Sequence, residues 1–305
     1  MNTKTAIDVA AETAAKAAKW ALSKVGCPYS QPGRLRKNVF DCSSLVARAY
    51  SAQGKRWFYG GNVPLSCQEV YDDEFELLWP TNYSDIGKKF GGRNVITMGT
   101  KPGDIQFMCT DKSTSRSNKI THVAMVDSKS TIVHARGRAY GVVTSPITTY
   151  SGKICAILRY NPSGTLRKGM RGYRTLALQR ALVSAGIGVV VDGYFNAQTA
   201  TAIEKLQNQR SITVTGQADS RVFEILGITT VSQNESPETT HMKEELIEIL
   251  GDTVNLRTGP GTDFRIGKIA LAGETFKHPD VHGWMPILTE NAVLWVSEKY
   301  VRIMQ

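Results

Sequence analysis

Residues 40–50 read FDCSSLVARAY, and the reading of this stretch decides the fold. Leu45, Val46 and Ala49 recur at helical spacing behind Asp41, a residue type that caps helix starts. A helix is predicted over 42–53, with Cys42 at its first position. Upstream, residues 1–26 are Ala-rich and carry Lys4, Asp8, Glu12, Lys16 and Lys19, which reads as a first helix. They lack the apolar centre of a secretory signal. Downstream come short apolar runs at 104–108, 122–126, 131–134 and 141–143, spaced as antiparallel strands with turns such as Asp127-Ser128 between them. Helices first and strands afterwards predict an α+β domain.

The whole chain has 305 residues, which suggests two or three domains. Hydrophobic residues make up 41% and charged residues 21%, excluding a mostly disordered or collagen-like chain. No run of 18 or more apolar residues exists, so a membrane span is not expected. The net charge is +10, which favours anionic partners. It is unevenly spread: residues 1–160 carry +10, 161–230 carry +4 and 231–305 carry −4. All five cysteines, Cys27, Cys42, Cys67, Cys109 and Cys155, lie in the first segment. An odd count over a large domain does not suggest a disulfide framework, so reduced thiols are expected.

Two breaks divide the chain. Asn161-Pro162-Ser163-Gly164 is a turn cluster after the strand-like run 154–160. VSQNESPETT at 231–240 is polar, contains Pro237, and reads as linker. Between them lies a weak repeat: Leu178-Gln179-Arg180 recurs as Leu206-Gln207-Asn208, each in an amphipathic helical stretch. Beyond the linker, strand-like runs at 254–257, 265–271, 284–288 and 293–296, with a turn at 258–261, predict a small all-β barrel.

Chemistry concentrates in the first segment. His122 and His134 are its only histidines, so any Cys–His catalysis there uses one or both. The amides and dipole of a helix start stabilise an anion, which suits Cys42 as a nucleophile. A neighbouring imidazole can take the thiol proton and return it to a leaving amine. The plainer reading makes Cys42 a packing residue and the histidines surface residues. A zinc site from Cys42, His122 and His134 is conceivable, but no CxxC or HExxH motif supports it. No metal and no cofactor are expected.

FDCSSLVARAY, KPGDIQF, ITHVAMV and IVHA, in this order and spacing, resemble the NlpC-type family of cell-wall cysteine peptidases over about 15–150. Pro28-Tyr29 and Pro64-Leu65-Ser66-Cys67-Gln68 belong to the resemblance. It implies a papain-like fold and hydrolysis of peptide-stem amides in peptidoglycan, commonly between γ-D-glutamate and the diamino acid. It implies Cys42 as nucleophile, His122 as general base and His134 as the polar third residue. Tyr29, Asp41 and Ser43 are implied as substrate-binding residues, and the Cys42 backbone amide as oxyanion donor. Ser44 stands where the family usually has glycine. The stretches 69–100 and 110–119 run longer than the family core and are expected to shape substrate choice. Cys27, Cys109 and Cys155 are expected to be packing residues; Cys67 borders the cleft in the family.

Residues 165–227 resemble a three-helix peptidoglycan-binding domain through Gly169, Gly172, Leu178, Gln179, Leu182, Asp192, Gly193, Phe195, Thr199 and Leu206. Asn196 departs from its common glycine. Residues 252–305 resemble a bacterial Src-homology-three-like wall-binding domain through Asn255, Arg257, Gly259, Pro260, Gly273, Trp284, Trp295 and Tyr300. The expected layout is a peptidase domain (1–160), a three-helix domain (165–227), a linker (228–251) and a barrel (252–305). Together these resemble a bacteriophage endolysin, held in the host cytoplasm until lysis and then acting on the wall. Its expected partners are peptidoglycan and anionic wall polymers, not nucleic acid or membrane. The C-terminal module is a candidate for self-association, and Met242 a candidate start of a short wall-binding chain. The alternatives are an N-acetylmuramoyl-L-alanine amidase, a bacterial autolysin, or a non-catalytic wall-binding protein.

Overall fold

The computed structural model describes residues 5–34, 36–55, 57, 70–88, 99–109, 119–228, 244–257, 266–279, 284–288 and 293–304. Its chain is a mixed α+β protein that divides into two compact units near Gly164. Among the described residues, no helix is long and apolar enough to cross a membrane.

The first unit opens with α1 (Ala6–Leu22). Thr5 caps it, and Asp8 returns the bond to the Thr5 amide, so two orphan donors are satisfied. Ala10, Ala14, Ala17, Ala18 and Ala21 form its buried stripe. Small side chains let neighbours approach closely. Gly103 does so with φ +93°, where a Cβ would lie 2.5 Å from Ala14. Helix α2 (Cys42–Ser51) buries Leu45, Val46, Ala49 and Tyr50, as its periodicity predicts. The Tyr50 hydroxyl donates to the Gly103 carbonyl at 2.7 Å.

Strands β1 (Phe75–Trp79), β2 (Ile105–Cys109), β3 (Ile120–Val126), β4 (Thr131–Gly137), β5 (Gly141–Pro146) and β6 (Ile154–Tyr160) form one antiparallel sheet. Its order is β1-β6-β2-β3-β4-β5. Both faces of β2 are buried, so it lacks the polar alternation of a half-exposed strand. Strand β1 falls in the stretch 69–100 read as an addition to the core; it is an integral edge strand, paired with β6. Residues 110–118 and Cys67 lie outside the described residues.

Two features of this unit correct or extend the sequence reading. Cys109 and Cys155 are not separate packing thiols but a disulfide, with Cα atoms 5.7 Å apart. Strands β2 and β6 are neighbours in the sheet although the cysteines lie 46 residues apart in sequence. A cysteine count cannot see that adjacency. Breaking the bridge by Cys109→Ala with Cys155→Ala should lower stability by about 2–4 kcal/mol, by restoring freedom to the unfolded chain. Denaturant titration of parent and variant, with and without a thiol reductant, checks this; equal midpoints would refute it.

The second feature is Lys55, whose side chain is 1% exposed. Its ammonium lies 3.0 Å from Asp72 Oδ1, contacts Glu74, and sits 4.5 Å over the Trp57 ring. Burial disfavours the cation. Asp72 and Glu74 outweigh that and hold its pKa above the usual lysine value.

The second unit begins with α3 (Tyr173–Ser184), α4 (Ala197–Gln209) and α5 (Ser220–Ile225). Leu178, Leu182 and Leu206 are buried, as expected. The weak repeat has a physical reason. Gln179 is buried and clamps the following loop: its Oε1 accepts from Asp192 N and Gly193 N, and its Nε2 donates to Asp192, Tyr194 and Thr199. Gln207 does the same one helix later, accepting from Thr215 N and Gly216 N and donating to Thr215 Oγ1 and Gln217 O. Asn196, where glycine was expected, caps α4 by accepting from Thr199 N.

Seven strands follow: β7 (Glu244–Ile249), β8 (Thr253–Arg257), β9 (Ile266–Leu271), β10 (Thr275–Pro279), β11 (Trp284–Leu288), β12 (Val293–Ser297) and β13 (Val301–Met304). They form a sheet in the order β13-β7-β10-β11-β12-β8-β9. Its core holds Ile247, Ile249, Val254, Leu256, Ala270, Phe276, Ile287 and Val296. Strand β7 lies inside the stretch 228–251 read as linker. Alternating Leu246–Ile249 gains its inward face only by pairing with β10 and β13, far along the chain. Met242 and the turn 258–261 lie outside the described residues.

Candidate active site

Asp41 is the N-cap of α2. Its Oδ1 accepts from Ser44 N at 2.7 Å, and Ser44 Oγ accepts from Asp41 N at 2.9 Å. Ser44 therefore completes a capping box, which accounts for a serine where glycine was expected. Asp41 is further held by Arg34 at 3.0 Å and by the Ser43 hydroxyl at 3.1 Å. Both Asp41 and Ser43 are buried, so their side chains brace the helix start. This box fixes Cys42 at the first helical position, 8% exposed and outside any disulfide.

Tyr29 reaches the same place through a short bridge to Phe40. Ser30 N donates to the Phe40 carbonyl and Phe40 N to the Pro28 carbonyl. Burial raises the Tyr29 pKa, and negative charge at Cys42 and Asp41 raises it further; Gln31 and Arg138 oppose the shift.

His122 on β3 and His134 on β4 meet. His122 Nε2 lies 2.8 Å from His134 Nδ1. His134 is fully buried, and its Nε2 lies 3.0 Å from Ser145 Oγ. Tyr150 packs against both rings, with centroids 5.5 Å from His122 and 5.6 Å from His134. Burial raises the Tyr150 pKa; the charge and hydrogen bond of Arg136 oppose this, and charge at Cys42 adds to it. Cys42, both histidines and Arg136 thus surround one tyrosine. Ser145 and Tyr150 were not found from sequence. The signal for Ser145 was alternation: β5 runs on to Pro146, and Ile132 pairs with Ser145 two positions from the His134–Val143 pair.

The His134 pKa is pushed down to about 3, first by burial, then by the charges of His122 and Arg136. His134 is therefore neutral near pH 7 and carries one ring proton. When His122 is an imidazolium, its Nε2–H donates to His134 Nδ1, and the His134 proton sits on Nε2 toward Ser145 Oγ. The chain holds one tautomer whenever His122 is charged, which is the task of an orienting group.

A linkage prediction follows from the depressed value. The unfolded chain binds a proton at His134 below about pH 6.5, while the folded chain does not until about pH 3. Stability is full above pH 6.5 and falls as pH drops below it, by about 1.4 kcal/mol per unit from this group. Urea titrations from pH 6 to 4 should show a shallower loss in His134→Gln than in the parent. Parallel curves would overturn the assignment. Among the described residues, no three His, Cys, Asp or Glu side chains are arranged to hold a metal ion.

Residues 171–226 match the family described as "Putative peptidoglycan binding domain". No curated protein matches the chain. Among solved structures, NlpC1 from Trichomonas vaginalis is 22% identical, with 48% of this chain and 44% of that chain covered and a TM-score of 0.34. A Staphylococcus aureus protein of the NLP/P60 family, described as similar to lipoprotein, is 20% identical over 49% of this chain and 42% of its own, with a TM-score of 0.32. The P60 domain of an antigen from M. avium subspecies paratuberculosis is 18% identical, covering 50% of this chain and 97% of that one, with a TM-score of 0.32. The chain spans less than half the length of the first two.

Proposed function

We propose that the chain is a cysteine peptidase that hydrolyses stem-peptide amides of bacterial peptidoglycan, acting as an endolysin. The observation that carries this reading is the buried His134 hydrogen-bonded to His122, on two strands that pack against the helix opened by Cys42. In this reading the Cys42 thiolate attacks the amide carbon and the Cys42 amide supports the oxyanion. The tetrahedral species collapses to a thioester. The amine leaves with the proton held by His122. Water, deprotonated by His122, then attacks the thioester and releases the acid and the thiol. His134 orients His122, and Ser145 holds His134.

Asp41 and Ser43 act here through the helix start, and the half-buried Tyr29 is the contact for substrate. Residues 165–227 hold the enzyme on the wall, a reading supported by the match over 171–226. The 252–305 module adds a second wall contact, so that multivalency raises local occupancy. The Cys109–Cys155 disulfide supports a place of action outside a reducing compartment.

Digestion of purified sacculi from several species, with mass analysis of the fragments, tests the reading. A peptidase at the γ-D-glutamyl bond exposes a new amine on the diamino acid. A muramoyl-alanine amidase exposes the amine of L-alanine instead, and that product would replace the peptidase reading.

A further inference from the structure

The hairpin joining β4 and β5 carries Arg136, Arg138 and Tyr140 between the histidine pair and Tyr29. Arg136 lies two residues past His134, at the register shift between Ala135 and Gly137 in the β4–β5 pairing, and is exposed where His134 is buried. The hairpin is pinned against the segment that leads into Tyr29: Val142 N donates to the Cys27 carbonyl at 2.8 Å, and Gly26 N to the Val142 carbonyl at 2.9 Å. Gly141 has φ +66°, and a Cβ there would lie 2.4 Å from the Cys27 carbonyl oxygen, so the approach admits only glycine.

The Arg136 guanidinium lies 4.3 Å over the Tyr140 ring. It also hydrogen-bonds the hydroxyl of Tyr150, whose ring packs against both histidines. Arg138 lies close enough to oppose the pKa rise of Tyr29. Arg136, Arg138 and Tyr140 are exposed. Among the described residues, neither arginine has a carboxylate partner. Two cations without a carboxylate partner among the described residues therefore lie beside the two tyrosines that also feel charge at Cys42, and one of them is held in place by a ring and a hydroxyl. A planar guanidinium so held matches a carboxylate, with two parallel N–H donors for its two oxygens.

We propose that Arg136, supported by Arg138, is a specificity-determining residue that reads a free carboxylate on the substrate residue whose carbonyl Cys42 attacks. This rests on the peptidase reading above. A γ-linked glutamyl residue fits it, because its side-chain carbonyl forms the scissile amide and its α-carboxylate stays free. The same residue with an α-carboxamide offers one neutral oxygen and a donor, which the arginine fork does not match.

The test uses two synthetic peptides, L-alanyl-γ-D-glutamyl-L-lysine and its α-carboxamide counterpart, with the parent, Arg136→Gln and Arg136→Lys. The parent should favour the free acid by about ten- to a hundred-fold in kcat/KM, the range of a charge-assisted pair. In Arg136→Gln the ratio should fall toward one, chiefly through a raised KM on the free acid. Arg136→Lys should keep part of it, since charge survives and the fork does not. Equal cleavage of both peptides by the parent would remove the subsite alone. An equal loss on both peptides in Arg136→Gln would also remove it, because the residue would then act through Tyr150 and His134. A parent that cleaves neither peptide would remove the peptidase reading, and the subsite with it. Thermal melts matching the parent's would exclude misfolding as the cause of the lost preference.

Discussion

Cys42→Ala protein is expected to release sacculus fragments more slowly than the parent by several orders of magnitude, about 10⁴-fold or more. The same holds for His122→Ala. Without the thiol there is no thioester route, and without the base the thiol keeps its proton. His134→Ala should cost less, because an orienting group sets a tautomer and does not itself move the proton. All three should still sediment with sacculi, because residues 165–305 are untouched. Iodoacetamide gives a second readout. Cys27 is more exposed than Cys42, yet Cys42 should label faster near neutral pH. Of these two, Cys42 alone sits at a helix start, where the backbone amides favour a thiolate. Fragment release by Cys42→Ala at the parent's rate would end the nucleophile assignment, and metal dependence of that release would move the chemistry to a metal.

Lys55→Met should lower the stability of the first unit by about 3–5 kcal/mol, because it leaves Asp72 and Glu74 without the cation that compensates them. In a unit of this size that is roughly 10 °C in Tm. The loss should shrink when Asp72→Asn and Glu74→Gln are added, since neutral amides tolerate burial better than orphaned carboxylates. Scanning calorimetry of the single and triple variants reads both effects. A single variant melting with the parent would show that the buried triad contributes nothing net. Acidification does not mimic this change, since lysine stays protonated throughout.

Several elements were legible in the sequence because their signals are local. Leu45, Val46 and Ala49 repeat at the helix period behind an Asp cap, and α2 begins at Cys42 with Asp41 capping it. The runs ending at Met108, Val126 and Tyr160 alternate or stay apolar over a strand's length, and each lies in a strand of the first sheet. The candidate residues Cys42, His122 and His134 were legible through scarcity and motif order, and the structure brings the two histidines into hydrogen-bond contact.

What tertiary structure alone decided depends on pairings between distant parts of the chain. Ser145 meets His134 only because β4 and β5 pair at Ile132 and Ser145. Tyr150 joins the histidines from a turn that has no period of its own. The Cys109–Cys155 bridge requires β6 to insert beside β2 rather than follow β5, a choice of strand order invisible to spacing. Lys55 reads in sequence as one more solvated cation; only the fold buries it between two carboxylates and an indole ring. Local propensity and periodicity set which segments become helix or strand and where a thiol meets a helix start. Burial, strand order and the charges that burial makes strong arise from contacts across tens of residues, and the unfolded chain does not contain them.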